Sequence, residues 1–393
     1  MFASTVLALA AAVAVPIDHS DPASAKADLG YELGAPYDPA KPTVLFVTDG
    51  QQFRVAPGRV AAIQEEFFGP GFNVVGIYGR GATEAFQQGA VRPDGSVDWA
   101  RAWTIFRAEQ WVEDLDAVRR AVVGPEGKVG VFGTSGGALL AHQYLARHGR
   151  HVTRAFTSAT VEPWGVGSLG LATDRFWAEL APADRDRLTR ALAGRPALRD
   201  TAMALLQRQN FFVPLDRLAA ERSALIGVLE AGDDSKLAAL RKEYQVDAIR
   251  ERMDSPRGIA IRVREYEFAV PAGERERLRG PGVHPDLEVH VGAAKPLLDL
   301  LDAGTIEAPS FDSRPAHRLD TEVLVVAAHA DHTVDWRTSI ALAARYPFGR
   351  LFVADDDHMF ARMKKSGAYA ALIRAFLSVG TIPPEAQRHR WRE

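Results

Sequence analysis

Ser135 lies in the run Gly133-Thr134-Ser135-Gly136-Gly137, which matches the pattern G-x-S-x-G of a nucleophile elbow. A strand that reverses sharply into a helix holds its turn residue in strained geometry and lifts the side chain clear of the sheet. Small residues two positions before and after are needed because the two backbones approach closely there. The bland alternative is a tight turn whose serine is merely small. A serine hydroxyl is a weak nucleophile unless a base, usually histidine, takes its proton and a carboxylate orients that base. With an elbow of this kind the partners follow in the order Ser, Asp or Glu, His, each after a late strand. Two loops supply them: Ala327-Ala328-His329-Ala330-Asp331-His332-Thr333-Val334-Asp335 and Ala354-Asp355-Asp356-Asp357-His358-Met359-Phe360. Of eleven histidines, His358 is the expected base, and Asp331 is its expected orienting acid. Asp335 is the rival acid, His329 and His332 read as loop or surface residues with a place on a pocket wall as the alternative, and Asp355, Asp356 and Asp357 read as a solvated acidic loop, with tuning of the base as the alternative. An oxyanion formed on attack needs N–H donors, expected from the backbone of Gly136 and from Gln51, with Gly50 allowing the turn. No His-Glu-x-x-His, phosphate loop or early G-x-G-x-x-G occurs, so neither a metal nor a cofactor is implied.

The elements that must position these residues are legible around them. Thr43–Val47, Phe72–Ile77, the strand before Ser135, Ala155–Ser158, Thr321–Val326 and Gly349–Val353 are short runs apolar on both alternations. That is the signature of strands buried on both faces of a parallel sheet. Leu29–Leu33 reads as a further strand and Val60–Phe68 as a helix between two strands. Ala108–Val123 carries the clearest helical stripe, Trp111, Leu115, Val118 and Val122, with Gly124 just past its end. Helical spacing continues after Ser135, and Ala368–Leu377 reads as a closing amphipathic helix. Between about Val161 and His317 the rhythm turns helical, with helices expected at 174–180, 184–193, 197–209, 215–230 and 235–244. The fold class expected is therefore α/β, a doubly wound and mostly parallel sheet with one helical insertion. Residues 1–160 and 318–393 form the two halves of the core, and 161–317 form the insertion.

Length and composition agree with a globular chain: 393 residues, 47% hydrophobic and 25% charged. A net charge of -3, without charge runs, offers no general attraction to nucleic acid or acidic membranes. The absence of cysteine excludes disulfides, thiolate metal sites and a cysteine nucleophile. The alanine-rich N-terminus has no basic residue before Lys26, which favours a first strand over a signal remnant. A cytoplasmic location is expected, with secretion through an atypical signal as the alternative. The charged segment from Glu385 reads as a tail.

The core resembles the α/β-hydrolase superfamily, and within it the proline iminopeptidase branch of serine aminopeptidases. Val15-Pro16-Ile17-Asp18-His19-Ser20-Asp21-Pro22 is similar to that branch's opening strand and turn. Gln110-Trp111-Val112-Glu113-Asp114-Leu115-Asp116-Ala117-Val118-Arg119 is similar to its helix before the elbow. The resemblance covers roughly residues 15 to 160 and 320 to 380. Members usually carry His-Gly-Gly-Pro-Gly at the oxyanion loop, where this chain has Asp49-Gly50-Gln51-Gln52-Phe53. Their Asp-x-Arg-Gly-x-Gly-x-Ser segment is here Tyr78-Gly79-Arg80-Gly81-Ala82-Thr83-Glu84, and their Gly-His pair is Asp357-His358. The branch uses cap glutamates to hold a substrate's free amino group. By resemblance Glu267 is the candidate here, with Glu265 behind it; the competing reading is a solvated face of alternating Arg and Glu. The resemblance implies a serine hydrolase acting through an acyl-enzyme on a small peptide or amide with a free N-terminus. An esterase, thioesterase or lactonase is the alternative, since one triad cleaves any activated acyl group. An altered oxyanion loop also leaves open a pocket that binds a small molecule without hydrolysis.

Overall fold

The computed structural model describes residues 9–48, 55–160, 162–169, 180–279, 283–312 and 314–392. Eight strands, β1 (Leu9–Pro16), β2 (Lys26–Leu33), β3 (Thr43–Val47), β4 (Asn73–Ile77), β5 (Val129–Thr134), β6 (Val152–Ser158), β7 (Glu322–Ala328) and β8 (Gly349–Ala354), form one sheet. Their order is β1-β2-β4-β3-β5-β6-β7-β8, antiparallel at β1–β2 and β2–β4 and parallel throughout the rest. The alanine-rich start thus contributes a strand from Leu9 onward.

The apolar runs are buried on both faces, as expected, and their alternation divides two cores. Leu45 and Val47 of β3 face one side and join Trp111, Leu115 and Val118 of helix α1 (Ala108–Val123) and Tyr144 of helix α2 (Gly136–His148). Val44 and Phe46 face the other side and meet Phe132, Phe156 and Leu324 together with a C-terminal helix, Ala368–Val379. Val60–Ile63 begins as a helical turn but closes in a wide turn, Gln64–Phe68, with Gln64 Nε2 donating to the Phe72 carbonyl.

Three segments distant in sequence meet in one buried lock. Arg80 donates to both carboxylate oxygens of Asp114, at 2.6 and 2.9 Å, and to the carbonyls of Pro16, Ile17 and Ile105. Asp114 also takes His19, and Gln110 bridges Asp18 and the His19 backbone. Opening strand, Arg-Gly turn and α1 are thereby fixed to one another by charge-assisted bonds away from water.

Between β6 and β7 the described chain is helical. Pro163–Leu169, Pro182–Gly194, α3 (Arg199–Phe212), Leu215–Ala231, Asp234–Glu243, Val246–Asp254, α4 (Arg257–Ala269), Glu274–Leu278 and α5 (Pro285–Asp302) follow one another. Four of the expected helices lie here within a few residues of their expected ends; the fifth, at 174–180, falls almost wholly outside the described residues. The insertion has its own core of Leu188, Leu206, Leu225 and Leu229. The helical rhythm of this stretch assigns no separate bounds to α4 and α5. α4 is buried nearly all round, so it shows no single apolar stripe, and α5 carries Pro296 in its interior.

The charged tail is not free. His389 and Trp391 exchange backbone hydrogen bonds with Asp355 and Val353 at the end of β8, and the Trp391 ring stacks on His329 at 4.2 Å. Among the described residues no helix is long and apolar enough to cross a membrane.

Candidate active site

The register of the sheet brings the expected residues to one edge. Val47 of β3 lies beside Gly133 of β5, and Thr134 beside Ser158 of β6, so the chain turns at Ser135 among the carboxyl ends of three strands. Ser135 has φ 54° and ψ -129°, a region costly for a residue with a side chain. Its N–H is tied to the Ser158 carbonyl at 2.8 Å, and its carbonyl accepts from Ala138 as α2 begins. The glycines at either end of the pentapeptide are steric requirements. A Cβ on Gly133 would fall 2.6 Å from the Gly137 carbonyl, and one on Gly137 would fall 2.6 Å from the Val47 carbonyl.

The loop after β7 carries Asp331, whose Oδ1 accepts the backbone N–H groups of Thr333 and Val334 at 2.8 and 2.9 Å. Its Oδ2 accepts Nδ1–H of His358 at 2.8 Å, and both side chains are buried. With Nδ1 engaged, Nε2 is the His358 nitrogen available to a serine hydroxyl. Asp335, the rival acid, is turned instead to Arg337, which donates from its backbone and from its guanidinium. Ser135, Gly136 and His358 line one cavity of about 1210 Å³, roofed by α3, α4 and α5 of the insertion. Phe211 of α3 stands edge-on to the His358 ring at 5.3 Å. The Gly136 N–H is the first of α2 and has no partner within that helix. Gln51 and Gly50, expected in the oxyanion loop, lie outside the described residues.

The acidic loop after β8 departs from the solvated reading. Asp356 is fully buried and accepts backbone N–H groups from Asp357, Arg362 and Met363, while its carbonyl accepts from Ala330. It shapes the turn that presents His358 and stitches that turn to the Asp331 loop. Burial raises its pKa. The available signal was one acid among three adjacent ones, which a pattern of charge cannot single out. His329 and His332 do not line the cavity.

The two glutamates separate. Glu267 does not face the cavity: it is buried, with Oε1 accepting the Ala108 N–H at 2.7 Å and Oε2 meeting Arg264. It caps the start of α1 from the insertion, and burial pushes its pKa up to about 7. The expectation of an amine-binding Glu267 is therefore corrected, because both carboxylate oxygens are spent joining helices. Glu265, two residues back on the opposite side of α4, does line the cavity. It faces His290 of α5, whose pKa burial would lower but which Glu274, 3.3 Å away, and Glu265 push up to about 10. Among the described residues no three His, Asp or Glu side chains converge as a metal site would require.

An eight-stranded sheet of this order, with only its second strand antiparallel to the central ones and a serine turn after the fifth, is the α/β-hydrolase fold. No family model matches the chain, and no curated protein matches it significantly. Solved structures similar to it include a homoserine O-acetyltransferase from Staphylococcus aureus, 13% identical with TM-score 0.49, covering 96% of this chain and 98% of that one. An enol-lactonase from Burkholderia xenovorans is 16% identical with TM-score 0.45, covering 89% and 96%. An α/β hydrolase from a Medee basin deep-sea metagenome library is 11% identical with TM-score 0.46, covering 91% and 96%.

Proposed function

We propose that this protein is a serine hydrolase that cleaves small acyl esters or amides through an acyl-enzyme. The observation that carries the reading is the strained turn at Ser135, opening into the same cavity as a histidine whose Nδ1 is held at 2.8 Å by a buried aspartate. Ser135 Oγ attacks the carbonyl carbon while His358 Nε2 takes its proton. The Gly136 N–H faces the oxyanion, and His358 returns the proton to the leaving group as the scissile bond breaks. Water, its proton taken by His358, then attacks the acyl carbon; the bond from Ser135 Oγ to that carbon breaks, His358 returns the proton to Oγ, and the acid leaves. Asp331 keeps the imidazole in the tautomer this needs. The roof formed by α3, α4 and α5 limits solvent around the acyl-enzyme.

A substrate with a free amino group is a second reading. Its support is now Glu265 on the cavity wall rather than Glu267, and part of that charge is already answered by His290. Partners are confined to the small-molecule or short-peptide substrate, with no metal or organic cofactor in the reaction and no nucleic acid or membrane.

The test is turnover of 4-nitrophenyl butyrate by the purified protein. Ser135→Ala is expected to lower kcat by at least about 10³-fold, and Asp331→Asn by about 10³- to 10⁴-fold. Asp335→Asn is expected to change it less than about threefold. Unchanged kcat in Ser135→Ala would overturn the proposal. Adding an aminoacyl amide and its N-acetyl twin separates the two substrate readings.

A further inference from the structure

The insertion's wall of the cavity carries arginines that its carboxylates leave unanswered, because most of those carboxylates are engaged elsewhere. Glu265 faces His290. Glu288 is taken by Arg199 through bonds of 2.6 and 2.7 Å, Asp299 by Lys295, and Asp254 lies near Arg262. Asp200 sits eight residues before Arg208 on α3, about 12 Å away along the axis. Arg208 and Arg252 line the cavity with no ion-pair partner among the described residues. Arg208 is the better placed of the two. Its guanidinium packs on the rings of Phe211 and Phe212, at 5.1 and 4.8 Å, and its Nε donates to the Tyr244 carbonyl at 3.2 Å. Both Nη groups are left for a ligand. Phe211 is the ring that stands against His358, so the cation is one aromatic ring from the candidate base.

A half-buried arginine held by stacking, with an unanswered fork of donors turned to a cavity, suits a planar anion bound through two parallel hydrogen bonds. Burial, helped by the neighbouring Arg252, lowers the Arg208 pKa to about 10, so it remains charged at neutral pH, and an anion would relieve both.

We infer that Arg208 binds a carboxylate of the substrate, so that this protein acts on acyl esters or amides that carry a free carboxylate. The inference rests on the serine-hydrolase reading for turnover, but binding tests it separately. Initial rates would be measured for 4-nitrophenyl hydrogen adipate against its neutral methyl ester, which places the carboxylate on the acyl side. The pair 3-carboxyphenyl butyrate and its methyl ester places it on the leaving group.

In one of the two pairs the acid is expected to exceed its neutral twin in kcat/KM by about tenfold or more. Arg208→Gln should bring that ratio to about one. Indifference to the carboxylate in both pairs, with the neutral esters still turned over, overturns the inference and leaves the hydrolase intact. If no ester is cleaved, calorimetry on Ser135→Ala protein decides. Adipate binding at least about tenfold tighter than adipamide, lost in Ser135→Ala/Arg208→Gln, upholds the anion site although the hydrolase reading has failed; equal binding overturns it. The same calorimetry on wild-type protein needs no change at Arg208 and so guards against a variant that does not fold.

Discussion

The sheet and the helical insertion use charge in opposite ways. The ionic lock of the core, Arg80–Asp114–His19, is buried, paired and away from the cavity, and it sets the angles between elements. In the insertion most ion pairs are solvated, for example Arg195–Asp234 and Lys295–Asp299, and the cations facing the cavity exceed the acids available to them. A buried pair is destabilising to break but fixes geometry, whereas an exposed one contributes little and can be exchanged. The lesson is that the candidate site hangs on a frame that tolerates little change, under a roof whose charges can be exchanged at little cost.

The sharpest way to break this contrast is Arg80→Leu, which leaves Asp114 buried beside His19. It is expected to cost about 3–5 kcal/mol in urea unfolding followed by near-ultraviolet circular dichroism. Arg195→Ala, by comparison, should not move the midpoint measurably. Similar losses in the two variants would erase the distinction between frame and roof.

Proton linkage offers a second test, of intermediate size. His142 of α2 is buried between Tyr346 and Thr157, and burial, helped by Arg345, lowers its pKa to about 3. A histidine depressed in the folded state binds fewer protons than in the unfolded chain, so stability falls as pH drops below about 6.5 toward 3. The limiting slope is about 1.4 kcal/mol per pH unit. His290, raised to about 10, has the opposite sign: its contribution is complete below about 6.5 and is lost as pH rises through 10. Hydrogen exchange, corrected for intrinsic rates, should therefore show α2 losing protection at pH 5 and α5 losing it at pH 9. Loss of both helices at the same pH would show that core and insertion titrate as one unit.

Glu267→Gln should give the smallest effect. With its pKa at about 7 the carboxyl is already largely protonated at pH 6, so the variant should change stability there by less than about 1 kcal/mol. The Glu267 contribution to stability declines between pH 4.5 and 7, as the unfolded chain gives up a proton that the folded one keeps, and the difference between wild type and variant should follow that decline. Its rate ratio for free and acetylated amines should stay within about twofold; a tenfold change would return Glu267 to the substrate site.

How much was legible in the sequence follows the same division. Strands buried on both faces announce themselves by continuous apolar runs, and β3, β4, β7 and β8 lie within a residue or two of where those runs put them. The residues at Ser135, Asp331 and His358 could be proposed because each follows a strand in a fixed order, and the structure brings Asp331 and His358 into contact. Asp356 and Glu267 could not be read correctly, since their environment is made by backbone donors and by a helix 159 residues away in sequence. A run of acids or an Arg-Glu alternation looks the same in the sequence whether it faces water or another helix. Arg208 left no signal at all, because an unanswered cation is defined by which carboxylates fail to reach it.

The short C-terminal segment that clips onto Ala354 has a consequence for how this molecule avoids its own kind. β8 is the last strand of the sheet, and its outer side would present unpaired backbone donors and acceptors to any passing chain. The Ala354–Arg390 bridge occupies the end of that row nearest the Asp331 and His358 loops, with Trp391 set against His329 as a stopper. A second molecule is thus denied strand addition where it would do most damage, and the guard against aggregation is built into the same few residues that brace the loop carrying the acid.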